Sequence, residues 1–440
     1  MTSPLRQAID LASIFRRIKV NVGILLGGTG VVTLLNFATA AVNARAVGAA
    51  GLGVIALFQA SALIVIGLVS FGLQQPVIRL GKQALEDGRP ERVGAVVSLA
   101  LLVDFGTSIA AGILSLVAIA VGYRYLGLAP EYLWLAQFYT IVIFFSGTSA
   151  INGVFRLFDR FYYLSVAQVG GALAMLVASL AFYRIDAPLS WYLLANAVIL
   201  AVTAQTQVLL ALQLLRRNGI RLTAKPEILR SAGIGREFFS YAWTTGVTST
   251  IGTLRANGES VLLGILLGPA PVGVYHVVKQ ITGALNKVSA ASSSAVFPEI
   301  SALASQRRLD DARGVVRKVA QYSVAFGACA VLASAALGGF VLEIGFGAEF
   351  RSGWAPLVLL AMAGTLTFAS APYSMFVQAV VSPRSLMRAH LCSFLAYVVC
   401  APALIYSWGM TGAAVAQVVF AAALLTACWI LHRAGDERPA

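Results

Sequence analysis

The sequence predicts an all-α integral membrane protein of twelve transmembrane helices in two six-helix lobes, related by a parallel pseudo-repeat. Three observations carry this. Of 440 residues, 59% are hydrophobic and only 11% charged, whereas soluble domains carry about 25% charged residues. Apolar runs near or above the roughly 20 residues needed to cross a bilayer recur along the whole chain. The basic residues, which give a net charge of +14, fall in the short connections between those runs. Cytoplasmic loops of membrane proteins collect Lys and Arg in this way, so the charge is no argument for nucleic acid as a partner.

Taken in order, residues 1–19 hold Arg6, Arg16, Arg17 and Lys19, with Leu5, Ile9, Ala12 and Phe15 near one helical face. They read as an interfacial helix. A signal peptide is the competing reading, but the following run, 20–44, is long enough to span and carries Thr29, Thr33, Asn36 and Asn43. An uncleaved first helix accounts for both features. Further spans are expected at 52–76, 93–122, 132–155, 161–183 and 191–215, then at 238–267, 274–297, 319–344, 354–381, 391–407 and 412–431. With the N-terminus inside, the outer loops hold only Arg45, Arg124, Arg184 and Arg351 of the 32 Lys and Arg, and three more lie within spans. This asymmetry predicts both termini in the cytoplasm.

The basic stretch 216–237, with Pro226 and Gly233, divides the spans into six and six. The expected organisation is a first lobe over 1–215, a cytoplasmic linker over 216–237 and a second lobe over 238–440. An internal repeat agrees: VGAAGLGVIAL (47–57) and LGPAPVGVYHV (267–277) share Gly48/Gly268, Ala50/Ala270, Gly53/Gly273 and Val54/Val274. Pro76 and Pro298 are expected to close the helices that follow. An even number of spans per half makes the repeats parallel, about an axis along the membrane normal, with a cargo site between them.

Ionisable residues inside spans single out candidate sites, because each costs roughly 2.5–3.5 kcal/mol at a helix centre. The eighth span presents His276, Lys279, Gln280, Asn286 and Lys287 at helical spacing. Lys279 is near enough to the outer end to snorkel, whereas Lys287 is roughly 20 Å in and is the stronger candidate. The seventh span carries Arg255 and Glu259, an i,i+4 pair able to neutralise itself. Asp104 in the third span reads either as an ion-pair partner of another helix or as a carrier of a proton or cation. The neutral stripe with Asn36 and Asn43 serves equally as cavity lining or interhelical hydrogen bonding. A small positive excess over the spans suits an anionic head group such as a diphosphate.

Several chemistries find no support. Cys329, Cys392, Cys400 and Cys428 lie in apolar runs without CxxC spacing and read as helix-packing residues. The three histidines are isolated, Gly81-Lys82 is followed by Gln83 rather than Ser or Thr, and no metal site or cofactor is expected.

ARAVGAAGLGVIAL (44–57), GESVLLGILLGPAPVGVYHVVKQI (258–281), FPEIS (297–301), GFGAEFRSGWAPLVLLA (345–361) and WGMTGAAVAQ (408–417) resemble the polysaccharide/oligosaccharide flippases of the multidrug/oligosaccharidyl-lipid/polysaccharide exporter superfamily. The resemblance spans the chain in order. It implies a V-shaped, alternating-access transporter of the bacterial inner membrane rather than an enzyme. It also implies a cargo of undecaprenyl-diphosphate-linked oligosaccharide, for O-antigen, capsule or exopolysaccharide. Partners would be membrane lipids and the polymerase or glycosyltransferase proteins of the same pathway. Arg45 is similar to the Arg before the family's first tight turn, and Glu259 stands where members often carry Asp. A positively lined cavity gives Lys287, Arg255, Lys279 and Arg45 candidate roles in binding, with Asp104 or Glu259 available for ion coupling. Two alternatives stay open: a proton- or sodium-coupled exporter of small organic cations, which needs an acidic cavity, and a membrane polysaccharide polymerase or ligase, which needs catalytic groups in larger external loops.

Overall fold

The computed structural model describes residues 11–69, 72–122, 133–145, 147–222, 234–306 and 308–434. Among these residues the chain is helical, without β-strands. The helices are α1 (Leu11–Val69), α2 (Gln74–Glu86), α3 (Pro90–Gly122), α4 (Leu133–Phe144), α5 (Ser149–Leu157), α6 (Phe161–Arg184) and α7 (Leu189–Arg217). They continue with α8 (Ile234–Leu267), α9 (Pro269–Ser305), α10 (Leu309–Phe346), α11 (Trp354–Phe376) and α12 (Pro383–Ala434). Eight helical stretches among the described residues are long and apolar enough to cross a membrane. Two of these, Gly27–Val69 and Arg384–Arg433, are of double length at 43 and 50 residues, and each folds at a glycine, Gly48 or Gly409. The charged α8 and α9 are 34 and 37 residues long. The arrangement is consistent with the twelve expected spans.

Four local expectations need correction. Residues 11–19 of the expected interfacial helix run into the first span without a break, and residues 1–10 lie outside the described residues. The expected span 132–155 is present as the apolar stretch Leu133–Leu157 but breaks between α4 and α5, where the polar Gly147-Thr148-Ser149 stretch lets α3 approach closely. A methyl on Gly147 would lie 2.7 Å from Ser108 Oγ and 3.1 Å from the Asp104 carbonyl oxygen. Pro76 opens α2 rather than closing the second span; in a first helical turn its missing N–H costs no hydrogen bond. The α9 backbone continues through position 298 to Ser305. Of the expected linker, Arg216 and Arg217 end α7, residues 223–233 lie outside the described residues, and α8 starts at Ile234.

The repeated glycines explain how the halves meet. Gly48 and Gly268 both adopt the left-handed backbone, with φ of 69° and 81°, which disfavours any residue bearing a Cβ. Each turn is followed five residues later by a second glycine at a crossing of helix backbones. A methyl on Gly53 would collide with the Pro269 carbonyl, and one on Gly273 with the Ala49 carbonyl. Position 49 is the repeat equivalent of 269, so the contact is reciprocal, as a two-fold axis demands. A second pair of tight turns, at Asp186 (φ 48°) and Gly409 (φ 60°), follows at nearly the same distance along each half.

Around this axis α1 packs on α9, α8 and α6, while α10, α11 and α12 form the largest set of neighbouring contacts. The face that α10 turns outward is apolar, with Leu332, Phe340 and Tyr322 more than half exposed, as a lipid-facing helix requires. Cys329 and Cys392 are exposed rather than packed, while Cys428 is buried against Ser374.

Candidate functional site

A cavity of about 300 Å³ lies between α1, α6, α7 and α9. Its polar lining comes from Asn36, Thr39, Asn43, Gln59, Gln168, Asn196, Thr203, His276 and Gln280. Among the described residues no Lys, Arg, Asp or Glu lines it. Helical spacing produces this: Asn36, Asn43 and their neighbours share one face of α1, and His276 and Gln280 are one turn apart on α9. Packing is close because Gly171 on α6 accommodates Thr203 on α7.

The hydrogen bonding of this lining is incomplete. Tyr139 donates to Asn196 Oδ1 at 2.7 Å, and Gln280 Nε2 lies 2.9 Å from His276 Nε2. Asn43 Oδ1 and Gln280 Oε1 are buried without a partner among the described residues, and Asn43 is only 4% exposed. An orphaned buried acceptor costs about 1–3 kcal/mol, and both of these belong to residues that line the cavity. Asn36 and Gln168 are exposed at its open side.

Lys287 stands beside this cavity rather than in it. The residue is exposed, and its Nζ donates to Thr33 Oγ1 on α1. Thr33 adjoins the cavity-lining Val32 and lies one turn from Asn36. The side chain of Asn286 lies outside the described residues.

Arg255, Glu259 and Lys279 form a separate cluster. Glu259 is 2% exposed. Its Oε1 pairs with Lys279 Nζ at 2.8 Å, and its Oε2 accepts Gln417 Nε2 at 2.6 Å and the Tyr275 hydroxyl at 3.2 Å. Lys279 also donates to the Ala256 carbonyl, so it turns inward instead of snorkelling. Arg255 donates to Gln417 Oε1 at 2.9 Å and sits 4.6 Å from the Phe420 ring centre. The i,i+4 partners thus do not pair with each other; Glu259 reaches across to α9 and α12. These charges tie three helices together and do not line the cavity.

Arg45 is exposed at the end of the molecule that carries the glycine turns, where it donates to the Ile344 carbonyl. Beside it Glu349 Oε2 accepts the Ala49 amide at 3.1 Å, capping the helix that restarts after Gly48. Phe37 and Phe346 pack edge to face at 5.1 Å nearby. Asp104 is 3% exposed and has no ion-pair partner among the described residues. Its Oδ2 instead accepts the Ala150 amide at 2.6 Å, at the start of α5.

Sequence reading gathered half of the cavity, Asn36, Asn43, His276 and Gln280, but passed over Gln59, Gln168, Asn196 and Thr203. The available signal was a lone amide in an otherwise apolar run, as in Gln59 and Asn196.

Comparison with known proteins places these features in context. The polysaccharide biosynthesis protein family matches residues 18–304. The chain is 24% identical over 276 residues to the inner membrane protein YghQ of Escherichia coli, covering 62% of this chain and 78% of that one. It is 26% identical over 184 residues to the probable low-salt glycan biosynthesis flippase Agl15 of Haloferax volcanii, covering 42% and 39%. In fold it is similar to a multidrug resistance MATE family transporter in its inward-facing conformation, with a TM-score of 0.74 at 17% identity over 93% of this chain and 96% of that one. It is also similar to the lipid II flippase MurJ in an inward closed conformation, at 0.69 and 11% identity over 92% and 87%.

Proposed function

The chain belongs to the polysaccharide biosynthesis protein family, and from that premise we propose that it is a flippase for a lipid-linked oligosaccharide. In this reading it carries an undecaprenyl-diphosphate-linked glycan from the cytoplasmic to the periplasmic leaflet of a bacterial inner membrane. The product feeds a cell-surface polysaccharide such as O-antigen, capsule or exopolysaccharide, and polymerase or glycosyltransferase proteins of that pathway act on either side of the step. The protein moves its cargo without chemical change.

The observation that carries the reading is the uncharged amide cavity with its two orphaned acceptors. Sugar hydroxyls are the donors that Asn43 Oδ1 and Gln280 Oε1 lack, and a neutral lining binds them without desolvating a fixed charge. Lys287, next to the cavity, supplies the cation for the diphosphate. The polyprenyl tail stays in lipid at the α1–α9 edge. An exporter of organic cations needs carboxylates where its cargo sits, and the described lining of this cavity holds none.

Lobes 1–215 and 238–440, joined by the basic linker 216–237, rock about the Gly53–Gly273 axis in this reading. With both termini cytoplasmic, the glycine-turn end faces the periplasm, and its contacts through Arg45, Glu349 and Phe37 seal that side. The state is then inward-facing.

The test is transbilayer movement of a fluorescent undecaprenyl-diphosphate-linked sugar in proteoliposomes, followed with an external quencher. Wild type translocates, and Lys287→Ala slows movement about tenfold or more, the loss of one charge-assisted phosphate contact. Export of an organic cation under a proton gradient, with no lipid movement, would overturn the proposal.

A further inference from the structure

A second cavity, of about 230 Å³, opens at the break between α4 and α5. We propose that it is an alkali-cation site, with Asp104 as its charged ligand. Asp104, Thr107 and Ser108 enter from α3, Thr148, Ser149 and Asn152 from the break and α5, and Ser249 from α8. Asp104 is the one ionisable residue among the described lining.

The donor set is that of a hard cation. Every polar lining side chain offers oxygen, and none offers sulfur or imidazole. Thr107 Oγ1 commits its proton to the Asp104 carbonyl at 3.0 Å, which leaves its lone pairs facing outward. Asn152 Oδ1 is buried without a partner among the described residues. The Asp104 carboxylate is held in place by the Ala150 amide at 2.6 Å. It is therefore oriented before any ion arrives.

Electrostatics favour the same occupant. The α4 C-terminus and the α5 N-terminus face the break with opposite partial charges of about half a unit, so the two half-helices nearly cancel. What remains is one buried carboxylate in a membrane span, a charge that one monovalent cation neutralises. Unwound backbone between half-helices is where transporters hold coupling ions. Glu259, the other buried carboxylate, is saturated by Lys279, Gln417 and Tyr275 and has no such vacancy. The volume exceeds a bare ion, so water molecules complete the shell.

The site also joins the two halves of the chain. Ser249 belongs to α8, where the adjacent Thr250 and, one turn on, Thr253 contact Gly67 on α1. An ion that gathers α3, α5 and α8 stabilises the arrangement in which they meet, so its release loosens the side of the molecule opposite the glycine turns.

The experiment uses purified full-length protein in lipid nanodiscs. Thermal unfolding is titrated with sodium chloride against choline chloride at constant ionic strength. Sodium raises the wild-type Tm beyond choline, saturably. Asp104→Asn abolishes the sodium-specific shift. Asn152→Leu, which leaves the Asp104–Ala150 bond intact, weakens apparent sodium affinity about tenfold or more, the scale of loss when a supporting group is removed from a metal site. Equal shifts with sodium and choline would overturn the proposal, as would a sodium shift that survives Asp104→Asn. Neither readout depends on transport, so the outcome is separate from that of the flippase reading.

Discussion

At the residue scale the two polar centres differ in purpose, and substitutions separate them. Asn43 Oδ1 and Gln280 Oε1 have no partner among the described residues, so removing Asn43 relieves a cost to stability while harming binding. Asn43→Leu is expected to leave unfolding in mixed micelles unchanged or raised by up to about 1–2 kcal/mol, whereas Gln280→Leu also removes the partner of His276 Nε2 and should destabilise by about 1 kcal/mol or more; glycan-lipid translocation falls in both. Glu259 behaves oppositely. Glu259→Gln strands Lys279, and because that lysine is 27% exposed the loss should be about 2 kcal/mol, short of the roughly 3–5 kcal/mol of a fully buried pair. Adding Lys279→Gln should recover part of it, measured as a double-mutant cycle. The sequence disclosed that these residues were unusual but not which ones met. Period fixes the face of one helix; whether Glu259 turns to Arg255 or to Lys279 depends on how α8, α9 and α12 are rotated, which no spacing within α8 encodes.

At the element scale the fold is set by where helices stop and cross. Gly53 and Gly273, having no Cβ, let a backbone carbonyl of the other half approach closer than any other residue permits. Gly53→Val should therefore part the two halves at the turn end, read as increased spacing between spin labels on α1 and α10 in the same nanodiscs; unchanged spacing would show that the crossing is not the pivot. Gly48 and Gly268 were legible as a repeat, and their shared left-handed conformation gives that repeat its physical reason. The broken fourth span was less legible. Its apolar run is long enough to cross, and only the closeness of Ser108 and Asp104 to Gly147 reveals why the helix stops there. The Asp186 turn escaped notice because its partner is a glycine, Gly409, so residue identity does not mark the equivalence.

At the scale of the whole molecule, charge and polarity are sorted into separate compartments. The lipid-facing surface is apolar, the charges of α8 and α9 bind these helices to each other and to Gln417 of α12, and the described lining of the cavity is neutral, with Lys287 at its side. Composition anticipated the membrane fold well, because apolar runs of that length have few other uses. It anticipated a cationic cavity less well, since summing charges over spans cannot tell a charge that faces a guest from one that faces a neighbour. The proposed seal at the glycine-turn end makes a further expectation: Glu349→Ala, which uncaps the helix at Ala49, should shift the population toward the opposite state, seen as greater accessibility of a cysteine placed at Phe37 to a reagent added from the periplasmic side.

In the proposed function the neutral cavity reads the sugar and Lys287 reads the diphosphate. The most direct test is binding to nanodisc-held protein of two lipids that differ only in the glycan, undecaprenyl diphosphate with and without its sugar. Wild type should prefer the glycosylated lipid, the Asn43→Leu, Gln280→Leu double variant should lose that preference while still binding the diphosphate, and Lys287→Ala should weaken both lipids alike. A double variant that keeps the full preference for the glycosylated lipid would contradict the account.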